Sequence, residues 1–275
     1  MKIREVRCKS ILSRSGISDY AVNCYTGCGH GCRYCYARFM MKFKEYGEAW
    51  GEFADVKINA AEALCKEVKK KRPGNVFMSS VCDGWQPLEA GYRLSRDCLK
   101  LLLENGFTVD ILTKSALIER DFDILKSHRD KVELGLTLTT ADEKLRRLLE
   151  PGASPTADRI SALGRAADLG INTYAFLGPF MPYLTDREAD LEKLFRAIRD
   201  IKLGHIYLDR LNLHHGVWES LHSVLKNHYP YLDTKYRMIL FNRKYSQSYS
   251  CDLARRAGKA AGKSGLGGKL KICFK

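Results

Sequence analysis

Five short apolar runs are strung along this chain: NVFMSS (75–80), TVDILTKS (108–115), VELGLTLTT (132–140), INTYAFLGPF (171–180) and HIYLDRLN (205–212). They recur roughly every 25 to 40 residues, with segments of helical spacing between them at 92–104, 117–128, 142–149, 155–169 and 187–202. Further helices are expected at 60–72, where Pro73-Gly74 stops the pattern, and from Val217 to about His228. Strand–helix–strand repetition of this kind demands parallel strands covered by helices. Neither GxGxxG nor GxxxxGK[ST] occurs, so the usual nucleotide fingerprints of a doubly wound sheet are missing, and a full or partial barrel fits better. Barrel chemistry gathers at the C-terminal ends of strands. Those ends are polar here: Ser79-Ser80, Lys114-Ser115, Thr139-Thr140 and Asp209-Arg210.

At 275 residues the chain can bury a large core, as one domain or one domain with a small appendage. No apolar run is long enough for a membrane span, and MKIREVRCKSILSRSG lacks the apolar stretch of a signal peptide. A cytoplasmic location and no membrane partner are therefore expected, with the ten cysteines read as thiols or metal ligands. The formal net charge of +14 raises the expectation of a polyanionic partner, DNA or RNA. Residues 251–275 carry seven Lys or Arg against one acidic residue. The pattern weakens past Tyr245, and AGKAAGKSGLGGKLKICFK is too glycine-rich to read as a stable core element. Residues 1–20 thus read as an N-terminal arm, 21–245 as the catalytic unit, and 246–275 as a basic tail that contacts phosphate and folds only when bound.

Residues 23–39 read NCYTGCGHGCRYCYARF. Cys28, Cys32 and Cys35 form C-x3-C-x2-C, a spacing that lets three thiolates grip three irons of a cubic cluster while the fourth stays open. Glycines at 27, 29 and 31 let the backbone curl and bring N–H groups near sulfur. A zinc clip completed by Cys24 or His30 is the alternative, although structural zinc prefers separated CxxC pairs. Cys24, Cys251 and Cys273 raise the further possibility of a second metal centre, whereas Cys65 and Cys98 fall on apolar helix faces.

With Tyr34 before its last cysteine, this string resembles the signature of radical S-adenosylmethionine (SAM) enzymes. TGCGHGCRYCYAR, SSVCDGWQPLEAGYRLSR, VDILTKS and LTLTTADEKLRRLLEPGASPTADRISAL are together similar to the branch containing spore photoproduct lyase, over roughly residues 22–212. The resemblance implies an α/β fold, a partial (β/α)6 TIM-type barrel whose first strand ends just before Cys24. It implies a [4Fe–4S] cluster on Cys28, Cys32 and Cys35, with SAM chelating the open iron. Reductive cleavage of SAM would then yield a 5′-deoxyadenosyl radical that abstracts hydrogen from a substrate, with a flavodoxin or ferredoxin as electron donor. A DNA lesion repaired by lyase chemistry is the first expectation; RNA, a protein side chain or a small metabolite is the second. A non-catalytic, zinc-stabilised nucleic-acid-binding protein is the third.

The same resemblance places Tyr36 against cluster or adenine, Ser79, Ser80 and Asp83 near the SAM amino group, and Lys114 near its carboxylate. Thr139 and Thr140 would touch the ribose. Cys82, near the end of the second strand, would donate hydrogen to the product radical, as a cysteine of the lyase does. Asp209, Arg210 and the pair His214-His215 are candidates for substrate contact. Trp85, Tyr92 and Tyr183 are candidate stacking platforms.

Overall fold

The computed structural model describes residues 1–43 and 46–274. Five strands precede the first of the apolar runs: β1 (Lys2–Val6), β2 (Leu12–Arg14), β3 (Tyr20–Val22), β4 (Tyr25–Thr26) and β5 (Phe53–Lys57). The runs themselves form β6 (Asn75–Met78), β7 (Thr108–Thr113), β8 (Val132–Leu138), β9 (Asn172–Phe180) and β10 (His205–Arg210), and β11 (Leu270–Ile272) follows far downstream. The helices are α1 (Ala60–Val68), α2 (Glu89–Tyr92), α3 (Leu94–Glu104), α4 (Phe122–Ser127), α5 (Glu143–Leu149) and α6 (Thr156–Asp168). They continue with α7 (Glu188–Ile198), α8 (Val217–His228), α9 (Asp233–Phe241) and α10 (Arg243–Lys263).

The result is a mixed α/β fold. An eight-stranded sheet runs β11-β10-β9-β8-β7-β6-β3-β2. Every neighbouring pair from β3 to β11 is parallel, and β2 adds antiparallel at one edge. Parallel pairing forces each connection to cross over, so all the C-terminal strand ends lie on one side. Ile111, Leu134, Leu136, Ala175 and Leu208 are wholly buried beneath the covering helices.

Two parts of the chain depart from the expectations. A second, three-stranded sheet, β1-β5-β4, stands beside the first. Its middle strand, FADVK, was not legible: four of its five residues are buried, so the alternation that betrays a half-exposed strand is absent. Phe53 from this strand stacks on Tyr46, with ring centroids 3.9 Å apart, and packs in the cluster that contains Cys28. The small sheet therefore backs the cysteine loop.

The expected loose tail is instead the 21-residue helix α10 followed by β11, which pairs with β10. Asn242 caps the helix by accepting from the Lys244 and Tyr245 N–H groups. Leu253, Ala257, Ala260 and Ala261 bury one face, and packing of that face outweighs the low propensity of Gly258 and Gly262. The basic residues on the other face are spent on α7 and the segment before it. Arg256 pairs with Asp186, Lys259 with Glu188, and Lys263 with Glu192. Among the described residues no helix is long and apolar enough to cross a membrane.

Candidate active site

The cysteine loop follows β3 and lies across the C-terminal strand ends, where three sets of buried polar contacts pin it. Gln86 accepts from the Gly29 N–H at 2.7 Å and donates to the Gly27 carbonyl at 3.3 Å. His30 Nδ1 lies 3.3 Å from Asp83 Oδ2. Tyr34 donates to Glu150, which also accepts from Thr139 at 2.6 Å and pairs with the wholly buried Arg159. Arg159 in turn donates to the Thr137 carbonyl at 2.9 Å and the Ser154 carbonyl at 2.8 Å. The Arg33 N–H reaches the Leu149 carbonyl, and the Gly152 N–H reaches the His30 carbonyl. At Gly152 the approach is so close that a Cβ would stand 2.1 Å from the Gly29 carbonyl oxygen.

So held, Cys28, Cys32 and Cys35 line one cavity together with Tyr36, Ser79, Ser80, Cys82, Asp83 and Lys114. A second cavity shares Cys32, Cys35, Tyr36, Leu112 and Lys114 with the first and continues past Thr137 and Phe176 to Asp209, Arg210 and His214. All ten cysteines are free thiols. Burial pushes the Cys28, Cys32 and Cys35 thiols up, Cys32 to about 12, even though Lys114 pulls Cys32 and Cys35 back down. Neutral thiols are what a desolvated pocket favours, until a soft metal replaces the protons. Three such donors on one glycine-bearing loop, facing a cavity, therefore suit an iron–sulfur cluster. Among the described residues no three His, Cys, Asp or Glu side chains are arranged to hold a single ion. Cys24 is buried with its sulfur 3.7 Å from that of Cys98, and Cys251 is exposed on α10.

Lys114 is half-buried, its Nζ 5.9 Å from the centre of the Tyr34 ring. Burial opposes its charge, but Cys32, Glu150, Asp83 and Cys35 outweigh burial and raise its pKa. Ser79, in a left-handed backbone conformation at φ 70°, turns its buried Oγ beside the Cys82 thiol without a well-formed hydrogen bond. Ser80 Oγ accepts from Asn23 Nδ2 at 3.1 Å, and its carbonyl accepts from the Tyr36 hydroxyl. Burial raises the Cys82 thiol to about 12, so at neutral pH it carries its hydrogen. Asn23 Oδ1 lies 3.8 Å from that sulfur.

Several expectations need correcting. Asp83 is no free acceptor for an amino group. Its two oxygens already serve Thr113 Oγ1, the Trp85 and Lys114 N–H groups, and His30. These contacts outweigh burial and hold its carboxyl below the usual range. Thr139 is locked between Glu150, Tyr34 and the Gly178 carbonyl, and Thr140 Oγ1 accepts from the Asp142 N–H. Neither is among the side chains lining these two cavities. Thr137 lines the second, with a buried hydroxyl that has no partner among the described residues; strand alternation turns it, and not Thr140, to the inner face. Trp85 is wholly buried and donates to Asp121 at 2.8 Å, while Tyr92 bonds Glu5, so neither is a stacking platform. Sequence reasoning missed Asn23, Gln86, Glu150 and Arg159. The only signal for the last two was their place in the LEPGASPTADRI string.

A three-thiol loop set over the C-terminal ends of a parallel sheet, with a cation and a fourth thiol facing it, is the layout of an enzyme built around a redox cofactor. The model of the Radical SAM superfamily matches residues 22–196, and the chain belongs to that superfamily. It is a radical SAM enzyme, and its cofactors are SAM and an iron–sulfur cluster. Similar proteins include an uncharacterized protein of Methanocaldococcus jannaschii, 36% identical over 190 residues, 68% of this chain and 71% of that protein. An uncharacterized protein of Mycobacterium tuberculosis is 27% identical over 276 residues, 96% of this chain and 81% of its own. Among solved structures, spore photoproduct lyase complexed with dinucleoside spore photoproduct superposes with a TM-score of 0.70 at 14% identity. That match covers 99% of this chain and 82% of the lyase. At that identity the likeness is one of fold.

Proposed function

We propose that Cys28, Cys32 and Cys35 hold a [4Fe–4S] cluster and that the enzyme acts on damaged or modified bases in nucleic acid, with Cys82 as hydrogen donor. One observation carries this reading: the Cys82 thiol and the three loop thiols line the same cavity. Bound there, cluster and SAM together supply a radical able to abstract hydrogen from an unactivated carbon. A partial (β/α)6 barrel is supported by the lining of the two cavities. Phe77, Leu112, Thr137, Phe176 and Asp209, from five successive parallel strands, face them.

The protein's own groups bind, orient and donate. Lys114 offers a charge-assisted hydrogen bond to the SAM carboxylate, Ser79 and Ser80 lie where its amino group would sit, and Thr137 replaces Thr139 and Thr140 as the ribose contact. Tyr36 covers the mouth. Protonated Cys82 gives a hydrogen atom to the product radical, becoming a thiyl that one electron from the flavodoxin or ferredoxin donor and a solvent proton return to the thiol. A low-potential flavodoxin or ferredoxin supplies the initiating electron. The free thiols fit a reducing, cytoplasmic setting. A lyase that reverses a base–base lesion is the reaction this donor suits best, as in the solved enzyme of like fold.

The test is anaerobic reconstitution followed by iron analysis, EPR and turnover on a lesion-bearing dinucleotide in deuterated water. The reading expects about four irons per chain, an EPR signal that shifts on adding SAM, 5′-deoxyadenosine, and deuterium in the product of the native enzyme. Cys82→Ala should still cleave SAM but yield product without solvent deuterium. Stoichiometric zinc with no SAM response would remove the reading altogether.

A further inference from the structure

On the outer side of the cysteine loop, a third cavity lies between that loop and the start of α8. Its lining includes Arg33, Arg38, Trp50, His215, Ser220 and Ser223. Trp50 also lines the cavity of Cys82, so the two spaces share a wall. Several donors at this space have no counter-charge. Among the described residues Arg38 Nε and Trp50 Nε1 are buried with no hydrogen-bond partner, and Trp50 is only 3% exposed. Among the described residues neither arginine makes an ion pair; the one side-chain bond of Arg38 is a long one, 3.4 Å, to the Cys32 carbonyl. Gly216, at φ 75°, precedes the first turn of α8, whose positive end adds to the field. Glu219 lines the same space but pairs with neither arginine among the described residues. Two cations and an indole N–H lacking a counter-charge describe an anion site one wall away from the reacting cavity.

We propose that this cleft binds a phosphodiester of the nucleic-acid substrate, next to the base presented to Cys82. The assignment rests on the nucleic-acid reading above and adds where the backbone is gripped. Arg33 and Arg38 fork onto the phosphate oxygens, Trp50 donates from the shared wall, and His215 with the Ser220 and Ser223 hydroxyls completes the rim. Positive charge available to a substrate thus sits on the cysteine loop, whereas Lys259 and Lys263 of α10 are paired with Glu188 and Glu192 of α7.

The probe is a ten-nucleotide oligothymidylate bound by the reconstituted holoenzyme, read by fluorescence anisotropy over a range of salt, beside the same oligomer with an uncharged backbone. The native protein should bind the charged oligomer with a salt-dependent affinity. Arg33→Gln should lower the slope of log K against log salt by about 0.7, and the double variant with Arg38→Gln by about 1.4. Binding of the uncharged oligomer should fall by less, and a folding defect would instead lower both equally. Because the Arg33 side chain holds nothing in the loop, the single variant decides if the double one loses iron. Native binding with unchanged slopes in both variants overturns the phosphate assignment and leaves the substrate reading standing. Absence of any salt-dependent native binding overturns both. Unchanged slopes with slowed reduction by flavodoxin, but not by dithionite, would assign the cleft to an acidic redox partner.

Discussion

Replacing Glu150 by Gln tests how firmly the cysteine loop is held. Glu150 and Arg159 are both fully buried, and the carboxylate also takes the Tyr34 and Thr139 hydroxyls. Burial alone would raise the Glu150 pKa, but Arg159 and Lys114 override it and bring it from 4.5 to about 2. A depression of that size corresponds to about 3 kcal/mol of stability at neutral pH. Removing one partner of a buried pair costs about 3–5 kcal/mol. Arg159 keeps its bonds to the Thr137 and Ser154 carbonyls, which puts the expected loss at the low end. At roughly 2–4 °C per kcal/mol, Tm should drop by about 6 to 12 °C. The sign with pH follows from the depressed carboxyl. Its contribution is complete above about 4.5, where the unfolded chain is ionised, and fades as pH falls toward 2. The native protein should therefore lose stability down that limb, and Glu150→Gln should lose less there. Thermal and urea unfolding of the metal-free protein from neutral pH to pH 3 is the assay. Iron retained after reconstitution should fall in parallel, because Tyr34 sits inside the cluster loop. A variant within about 2 °C of native, with the same acid limb, would refute the reasoning.

Three further outcomes are expected. Gly152→Ala should destabilise the protein and lower iron retention together, since its Cβ would meet the Gly29 carbonyl at 2.1 Å and backbone must move; iron content beside Tm checks this. Lys114→Met should raise the KM for SAM by roughly tenfold or more, the worth of a charge-assisted bond, while Thr137→Ala acts in the same direction and Thr140→Ala leaves KM unchanged. Lys259→Gln with Lys263→Gln should leave the salt slope of oligonucleotide binding unaltered and Tm within about 2 °C, because exposed pairs contribute about 0–1 kcal/mol.

The five parallel strands β6 to β10, the loop that carries the thiols and the superfamily were all written in local pattern. Alternating apolar runs, helical spacing between them and C-x3-C-x2-C need only a few neighbouring residues to be recognised. Which polar side chains would be free to meet a ligand could not be read that way. Asp83 and Thr139 sit at strand ends as expected, but partners from elsewhere in the chain occupy them: His30 and Thr113 reach Asp83, while Tyr34 meets the Thr139 hydroxyl and Glu150 accepts from it. Thr137, two positions earlier, escapes that fate and keeps an unpartnered hydroxyl on the inner face. Charge obeyed the same division. A count of lysines and arginines announced a polyanion and pointed at residues 251–275. In the folded chain, α7 lies beside α10 and neutralises Lys259 and Lys263, while Arg33 and Arg38 on the cysteine loop make no ion pair among the described residues. Composition sets how much charge a chain carries; packing two helices side by side sets where it remains unpaid.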